Sequence, residues 1–477
     1  MVFSSPVFLF YFLPLFLICY CLLPQKNLVL LVFSLFFYAW GEGLYVLLMI
    51  ASGLGNFRLA NLISHADGTR RHRVLCLGVA LNLAGLIVFK YTGFLLESWN
   101  AVAPFAQLPV PEIHLPIGIS FFTFHAISYL VDVYRDDFPA ERKAVNVLLY
   151  IAMFPQLIAG PIVRFGTVRK EIHARAVTVE KVALGIKFFI IGLGQKVLLA
   201  NTLAVPVDAV YKLPVEALDA PLAWLAAVGY TLQIYFDFAG YSNMAIGLGL
   251  MIGIYFPLNF NYPYIAQSIT EFWRRWHITL STWFRDYLYI PLGGNRLGSI
   301  RTYSNLLTVF FLCGLWHGAK WTFVVWGLYH GLFLIIERAG LGAALQRIGR
   351  GYRHLYALLI VTVGWVFFRA DTVEQALRHL RAMAGFGSGD GVAYHVWLYL
   401  HEDVALALII GAIASTPLLA RLGQRVLAAA GRLYEGERTK LPPFAGWCAA
   451  AGLYAVLLLS VISIASGNYN PFIYFRF

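Results

Sequence analysis

The chain has 477 residues, of which 60% are hydrophobic and only 13% charged, with a mean hydropathy of +0.70. Water-soluble domains carry about 25% charged residues, so this composition excludes a soluble globular protein and makes lipid the main solvent. The net charge of +12 comes from 36 Lys and Arg residues scattered over many loops, which suits an anionic leaflet and excludes a nucleic-acid patch.

A membrane-crossing helix needs about 20 predominantly apolar residues. The apolar runs here are long and show no alternation of apolar and polar residues, so they read as helices and not as barrel strands. The fold class is therefore an all-α polytopic membrane protein. Met1 to Gln25 contains no charge, and the first basic residue is Lys26. A secretory leader begins with a basic region, so this segment reads as a retained span with its N-terminus outside.

Further spans fall at about 28–41, 43–57, 74–95, 116–133, 145–162, 182–204, 221–254, 303–315, 321–337, 354–369, 403–420 and 444–465. Several are short or broken by Gly and Pro, which is tolerated at membrane depth only beside protein or a water-filled cavity. The expectation is about 10–12 true crossings plus re-entrant or interfacial helices around a hollow. The Arg-rich stretches Arg58–Arg73 and Arg164–Arg175 are cytoplasmic by the positive-inside rule, as are the loops around Arg338–Arg353 and Arg421–Lys440. The loops near Ser98–His114 and Val207–Ala220 are poor in Lys and Arg and read as external. Residues 1–477 form one domain, with peripheral helices to about 115, a core over about 116–370 and C-terminal helices and a tail over about 371–477.

Polar residues inside the apolar runs are the candidates for function. His125, in "PIGISFFTFHAISYL", reads as a satisfied core histidine. Gln156 lies in "FPQLIAGPIVRF", the pattern of a broken helix that either lines a cavity or is simply kinked. Asp237, in "QIYFDFAGYSNMAIG", needs a partner, for which Arg274 or Arg275 is the expectation; the pair is either structural or part of a site.

After 33 uncharged residues, Phe238 to Thr270, comes the densest polar stretch, "SITEFWRRWHITLSTWFRDYLYIPLGGNR". Ser268 or Thr270 can cap a helix there, with Glu271 in its first turn. On a continuous helix Trp273, His277 and Ser281 share one face, and Glu271 pairs with Arg275. Pro291 and Gly293–Asn295 end the segment. It is either an amphipathic interfacial helix or a tunnel wall.

His317 lies between apolar runs in "CGLWHGAKWTF", flanked by Gly314 and Gly318 and near Trp316, Trp321 and Trp326. A neutral histidine there can take a proton from an attacking hydroxyl, or it can pack against a neighbouring carbonyl. His330, thirteen residues on, faces away from His317 on a continuous helix and reads as structural. The tail "NPFIYFRF" is either an interfacial aromatic anchor or a segment that brings the Tyr474 hydroxyl to the cavity. The five cysteines sit in apolar runs without metal-ligand spacing and read as small hydrophobes, so no metal is expected.

Taken together, "TEFWRRWHITLSTWFRDYLYIPLGGNR", "GLWHGAKWTFVVWGLYHG", "LPIGISFFTFHAISYLVDVYR", "FPQLIAGPIVRF" and "YFDFAGYSNMAIGLGLMIG" resemble the signature blocks of membrane-bound O-acyltransferases. The branch is the alginate O-acetyltransferase type, which is related to the D-alanyl teichoic acid transferases. The resemblance covers most of the chain and is weakest at about 376–440. It implies a ring of tilted helices around a thinned centre crossed by a tunnel. It also implies His317 as the catalytic residue, His277 across the tunnel, and Tyr474 as a candidate acyl relay. Trp273, Arg274, Arg275, Ser281, Trp316, Asp237, Gln156 and Asn295 are then expected along the tunnel or the donor site. No bound cofactor is expected. The implied donor is a cytoplasmic acyl thioester such as acetyl-CoA, and the acceptor is a polysaccharide such as alginate or peptidoglycan outside the inner membrane. Delivery would be completed by an extracytoplasmic acetyltransferase partner. A transporter and a non-catalytic membrane scaffold are the rival classes. The first is disfavoured because no inverted repeat is visible.

Overall fold

The computed structural model describes residues 1–389, 391–418, 421, 443–467 and 469–471. Tyr474, and the loop up to Lys440 apart from Arg421, lie outside the described residues.

The first apolar runs form α1 (Leu13–Leu22), α2 (Lys26–Glu42) and α3 (Val46–Ser64), with a sharp turn at Gly43 between the last two. α4 (Gly68–Leu86) continues through a wide π turn, Ile87–Tyr91, into α5 (Thr92–Val102). Next come α6 (Ile119–Tyr134) and α7 (Ala144–Ala152). The run at 145–162 breaks as its Pro and Gly residues require, leaving the single turn α8 (Phe154–Leu157) before α9 (Phe165–His173). α10 (Val179–Gly194) and α11 (Asn201–Tyr211) form one rod through a π turn at Gln195–Ala200, and α12 (Ala220–Met251) is the longest helix.

The polar stretch forms two short helices, α13 (Ile269–Arg275) and α14 (Ile278–Phe284). α15 (Gly298–His317) and α16 (Trp321–Ile336) follow, then α17 (Gly342–Gln346), α18 (Arg350–Arg369), α19 (Val373–Arg381), α20 (Glu402–Ala414) and α21 (Pro443–Ala465). Six helical segments among the described residues are long and apolar enough to cross a membrane, and two shorter apolar helices accompany them. Residues such as Leu81 and Val102 on the α4–α5 rod, Ile409 on α20 and Trp447 on α21 are exposed. In water such a surface would aggregate, whereas in hydrocarbon it is the expected outer face of a membrane protein.

α12 is apolar around most of its circumference and is buried along most of its length, as a helix with no polar face must be. It meets α10 backbone to backbone. A Cβ on Gly185 would lie 2.6 Å from the Gly247 carbonyl oxygen, and one on Gly240 would lie 2.7 Å from that of Gly192. Small residues at matched spacing allow this approach, which is how helices associate where no hydrophobic force acts between them. α15 and α16 are joined the same way through Gly314 and Gly327, which face the carbonyls of Phe323 and Phe310. A Gly327→Leu substitution should therefore separate the helix pair that carries His317. The expected cost is about 1–3 kcal/mol or more, read as a fall in Tm of the detergent-solubilised protein.

The basic loops meet on one face. Arg71 pairs with Asp136 at 2.6 Å, and that hydrogen bond holds the Asp136 carboxyl below its ordinary pKa. Arg164 pairs with the Asp286 carboxylate at 2.6 Å, and Arg135 donates to the Asp286 carbonyl at 2.9 Å. Arg338 donates to Asn295 at 3.1 Å. Through Asp136, Asp286 and Asn295 these contacts tie down Arg71, Arg164 and Arg338, one from each of three stretches expected on the same side by the charge rule.

Candidate active site

α13 and α14 are not one helix. The chain leaves helical geometry at Trp276, and His277 has φ +42°, one of three positive values among described residues other than glycine. That conformation is unfavourable for a residue with a Cβ and is retained where surrounding contacts enforce it. Here the contacts come from the segment after α12. The Asn261 N–H donates to the Arg275 carbonyl at 3.0 Å, and the Ile278 N–H donates to the Asn259 carbonyl at 2.9 Å. The result is a re-entrant hairpin with His277 at its apex.

Both feet of the hairpin stand on the same face. At the first, Glu337 accepts from the Ile269 N–H (2.5 Å), the Thr270 N–H (2.9 Å) and the Thr270 hydroxyl (2.6 Å), while Ser268 caps the helix through the Glu271 N–H at 3.0 Å. At the second, Asp286 holds Arg164, and Tyr289 reaches Asn295, which holds Arg338 beside Glu337. α13 has seven residues, so at 1.5 Å per residue it carries the chain about 10 Å from Glu337 toward His277.

His277 is fully buried. Its Nδ1 lies 3.1 Å from Asn259 Oδ1. The same oxygen accepts from the Thr279 hydroxyl at 2.8 Å and from the Thr279 N–H at 3.3 Å. Two donors on this atom fix it as the amide oxygen, so Nδ1 of His277 carries the proton and Nε2 presents a lone pair. An Asn259→Ala variant frees this tautomer and leaves a buried imidazole N–H without a partner, at a cost of about 1–3 kcal/mol. If that cost falls on the transition state, kcat drops by about 10–100-fold, measurable in steady-state kinetics with the fold checked by thermal unfolding.

His317 is the last residue of α15 and is 5% exposed. Helix ends leave carbonyls without partners. Here Tyr91 donates to the Leu315 carbonyl at 2.9 Å and Lys90 to that of Trp316 at 2.6 Å, with the His317 carbonyl at 3.5 Å. Both come from the π turn after α4, and Lys90 also reaches the Ser120 hydroxyl at 3.2 Å. A cation at a helix C-terminus is favourable, and these bonds fix the end of α15.

The two imidazole rings lie 6.5 Å apart, centre to centre. Around them stand Trp316 (4.9 Å from His317), Trp326 (5.1 Å), Phe368 (5.2 Å) and Phe238 (4.5 Å from His277). Among the described residues, neither nitrogen of His317, nor Nε2 of His277, nor the indole N–H groups of Trp273, Trp316 and Trp326 has a hydrogen-bond partner. Buried polar atoms are normally paired, so this concentration marks a place built to bind something polar. A cavity of about 280 Å³ reaches His317 from the loop around His114–Gly118, with Lys90, Ser120 and Trp316 in its wall. That loop follows the one that the charge rule places outside.

Several sequence expectations are revised. The break at His277 removes the common face of Trp273, His277 and Ser281; the Ser281 hydroxyl turns to the Trp276 carbonyl at 3.4 Å. Asp237 pairs with Lys196 at 2.5 Å and not with Arg274 or Arg275. Arg275 is held by Glu271 at 2.9 Å and by the Asn261 carbonyl at 3.1 Å, and Arg274 is exposed. Asn295 stands at the hairpin foot with Tyr289 and Arg338, away from the histidines. Gln156 is buried, but its amide folds back on the Tyr150 carbonyl at 2.5 Å.

His125 is a core residue, yet both its nitrogens lack partners, so it is not satisfied as expected. His330 sits on a different helix from His317, because the chain turns at Gly318–Lys320; it joins the same aromatic cluster, 5.3 Å from Trp273 and from Trp326. Sequence reasoning brought His277, His317, Trp316 and Trp273 together and missed Asn259, Lys90 and Glu337. Lys90 could have been found as a lone cation inside an apolar run.

The sequence model for the membrane-bound O-acyltransferase family matches residues 10–343. The chain belongs to the membrane-bound O-acyltransferase family. As a member it is a multi-pass membrane protein and an O-acyltransferase, and both His277 and His317 lie within the matched region. The acyltransferase is 44% identical to the probable alginate O-acetylase AlgI of Azotobacter vinelandii over the whole of both chains. It is 38% identical to the peptidoglycan O-acetyltransferase of Helicobacter pylori, over 81% of this chain and 80% of the other. It is 33% identical to the teichoic acid D-alanyltransferase of Bacillus subtilis, over 50% of this chain and 64% of the other.

Proposed function

We propose that this acyltransferase moves an acetyl group from acetyl-CoA on the cytoplasmic side to a hydroxyl on the outer side of the inner membrane, for O-acetylation of an extracytoplasmic polysaccharide. The observation that carries the reading is the buried histidine pair at the end of a cavity opening by His114–Gly118. The relatives named for alginate and peptidoglycan acetylation support the acetyl group and the polymer class.

His317 takes the proton of the acceptor hydroxyl as its oxygen attacks the thioester carbonyl. The carbon–sulfur bond then breaks, and the departing CoA sulfur receives that proton from His317. His277 presents a lone pair, so in its neutral form it accepts a hydrogen bond and does not polarise the carbonyl. Its part is to hold the acceptor hydroxyl or the facing N–H of His317. The indole N–H groups of Trp316 and Trp326, which lack partners and whose rings flank His317, would serve as donors to the oxyanion. The packed aromatic rings exclude water and so limit hydrolysis.

A second cavity, of about 510 Å³, lies at the foot of α13 between Ser268, Thr270, Arg338 and Arg353. Glu271 and Glu337 line the same cavity but are taken up by Arg275 and by the first turn of α13, which leaves Arg338 and Arg353 to suit the phosphates of CoA. Tyr474 is the candidate carrier of the acyl group toward an extracytoplasmic acetyltransferase partner. Purified protein incubated with acetyl-CoA and a hydroxyl acceptor should release CoA thiol, and a His317→Ala protein should not. Equal release by both would overturn the assignment. Mass spectrometry of the C-terminal peptide after labelled acetyl-CoA tests Tyr474 separately.

A further inference from the structure

Beyond α21, Tyr469–Pro471 pack against the inner helices. The chain turns back along the α10–α11 rod. The Tyr469 hydroxyl donates to Asp208 at 3.0 Å. Asn470 accepts from the Asn201 amide at 3.0 Å and exchanges hydrogen bonds with Ser4 at 3.2 and 3.3 Å. The Pro471 carbonyl accepts from Lys196. Three consecutive residues thus meet partners at 208, 201 and 196, a descent of twelve residues or about 18 Å of helix. Asp208, Asn201, Ser4 and Lys196 are all buried, and Asp208 and Lys196 are each braced by an ion pair, to Arg369 and to Asp237. Asp237 directly precedes Phe238, whose ring packs on His277.

We infer that Lys196, Asn201 and Asp208 form a socket that docks the C-terminal arm at Tyr469–Pro471 and holds it at the depth of the histidine pair, so that they act as positioning residues for acyl transfer to the acceptor side. Holding two buried charges in a membrane protein is costly, and an apolar pair would pack α10 against α12 as well. The carbonyl of a proline, which has no N–H of its own to satisfy, uses the Lys196 ammonium as its donor. This inference rests on the reading of the histidine pair as an acyl-transfer site only for its kinetic part.

The test uses the full-length chain in two arms. In the first, an Asn201→Cys, Asn470→Cys protein is treated in membranes with a short bis-maleimide. A cross-linked peptide joining the two positions is expected, and its absence at saturating reagent would overturn the docking whatever the activity. In the second, Asn470→Ala and Asn201→Ala should each lower kcat for acceptor acetylation by about tenfold, the worth of a buried hydrogen bond. KM for acetyl-CoA should stay at the wild-type value, Tm should fall by only a few degrees and leave the protein folded at the assay temperature, and the double variant should lose no more kcat than either single one. Wild-type kcat in both variants would overturn the positioning role, as would a loss of kcat that only follows a loss of Tm. Lys196→Arg, which keeps the donor, should retain more activity than Lys196→Met. Failure of the wild type to transfer acetyl at all would sink the proposed function and leave the cross-linking result to decide the docking.

Discussion

A His317→Ala protein should lose acyl transfer by about 10²–10⁴-fold, the contribution of a positioned general base, while remaining folded. The side chain makes no hydrogen bond among the described residues, so its removal breaks no polar network. It does leave a hole between Trp326 and Phe368. Tm should therefore fall modestly while the initial rate of CoA thiol release collapses. A His317→Gln variant fills the space without supplying a comparable base and should be as inactive. If either variant turned over within a few-fold of wild type, the proton would have to go elsewhere, and the unpaired Nε2 of His277 would be the next group to examine.

The second large effect is on stability. Asp237 and Lys196 are each 3% exposed in their side chains and face one another at 2.5 Å. Replacing Asp237 by Leu leaves a buried ammonium facing a hydrocarbon side chain, which costs about 3–5 kcal/mol. Replacing both residues, Asp237→Leu with Lys196→Met, removes the two charges together and should recover most of that loss. The comparison is made by thermal unfolding in detergent. On the socket inference the double variant regains its Tm but not its kcat, because the donor to Pro471 is gone. A single Asp237→Leu variant as stable as wild type would mean that the ammonium finds another carboxylate or water.

Much of the helical framework was legible because the governing variable, the length of apolar runs, is local. The breaks at Gly43 and around Pro155 were legible for the same reason. His317 could be read from "LWHG" because an ionisable group between apolar runs stands out, and the resemblance supplied His277. The geometry of His277 was not legible. Helical spacing placed it on a continuous face with Trp273 and Ser281, but the break at Trp276 is imposed by the segment around Asn259–Asn261, which lies in an uncharged stretch with no signal of its own. The partner of Asp237 was missed because Lys196 is on another helix, and charge spacing along a chain says nothing about which helices will touch. His330 was misplaced by assuming one helix through Gly318–Lys320, where the chain turns. Lys90 stands out in "LIVFKYTGF" as a lone cation, but its role needed the fold, since nothing there shows that a helix end with open carbonyls will arrive beside it.

The central claim is that the acetyl group changes sides at His317 while its carrier stays behind. The most direct measurement seals acetyl-CoA carrying one isotope in its acetyl group and another in its adenosine on one face of proteoliposomes, with the hydroxyl acceptor on the other. The account predicts covalently bound acetyl label on the far side, no adenosine label there, and neither with His317→Ala. Both labels crossing together, or acetyl crossing undiminished in the His317→Ala protein, would contradict it.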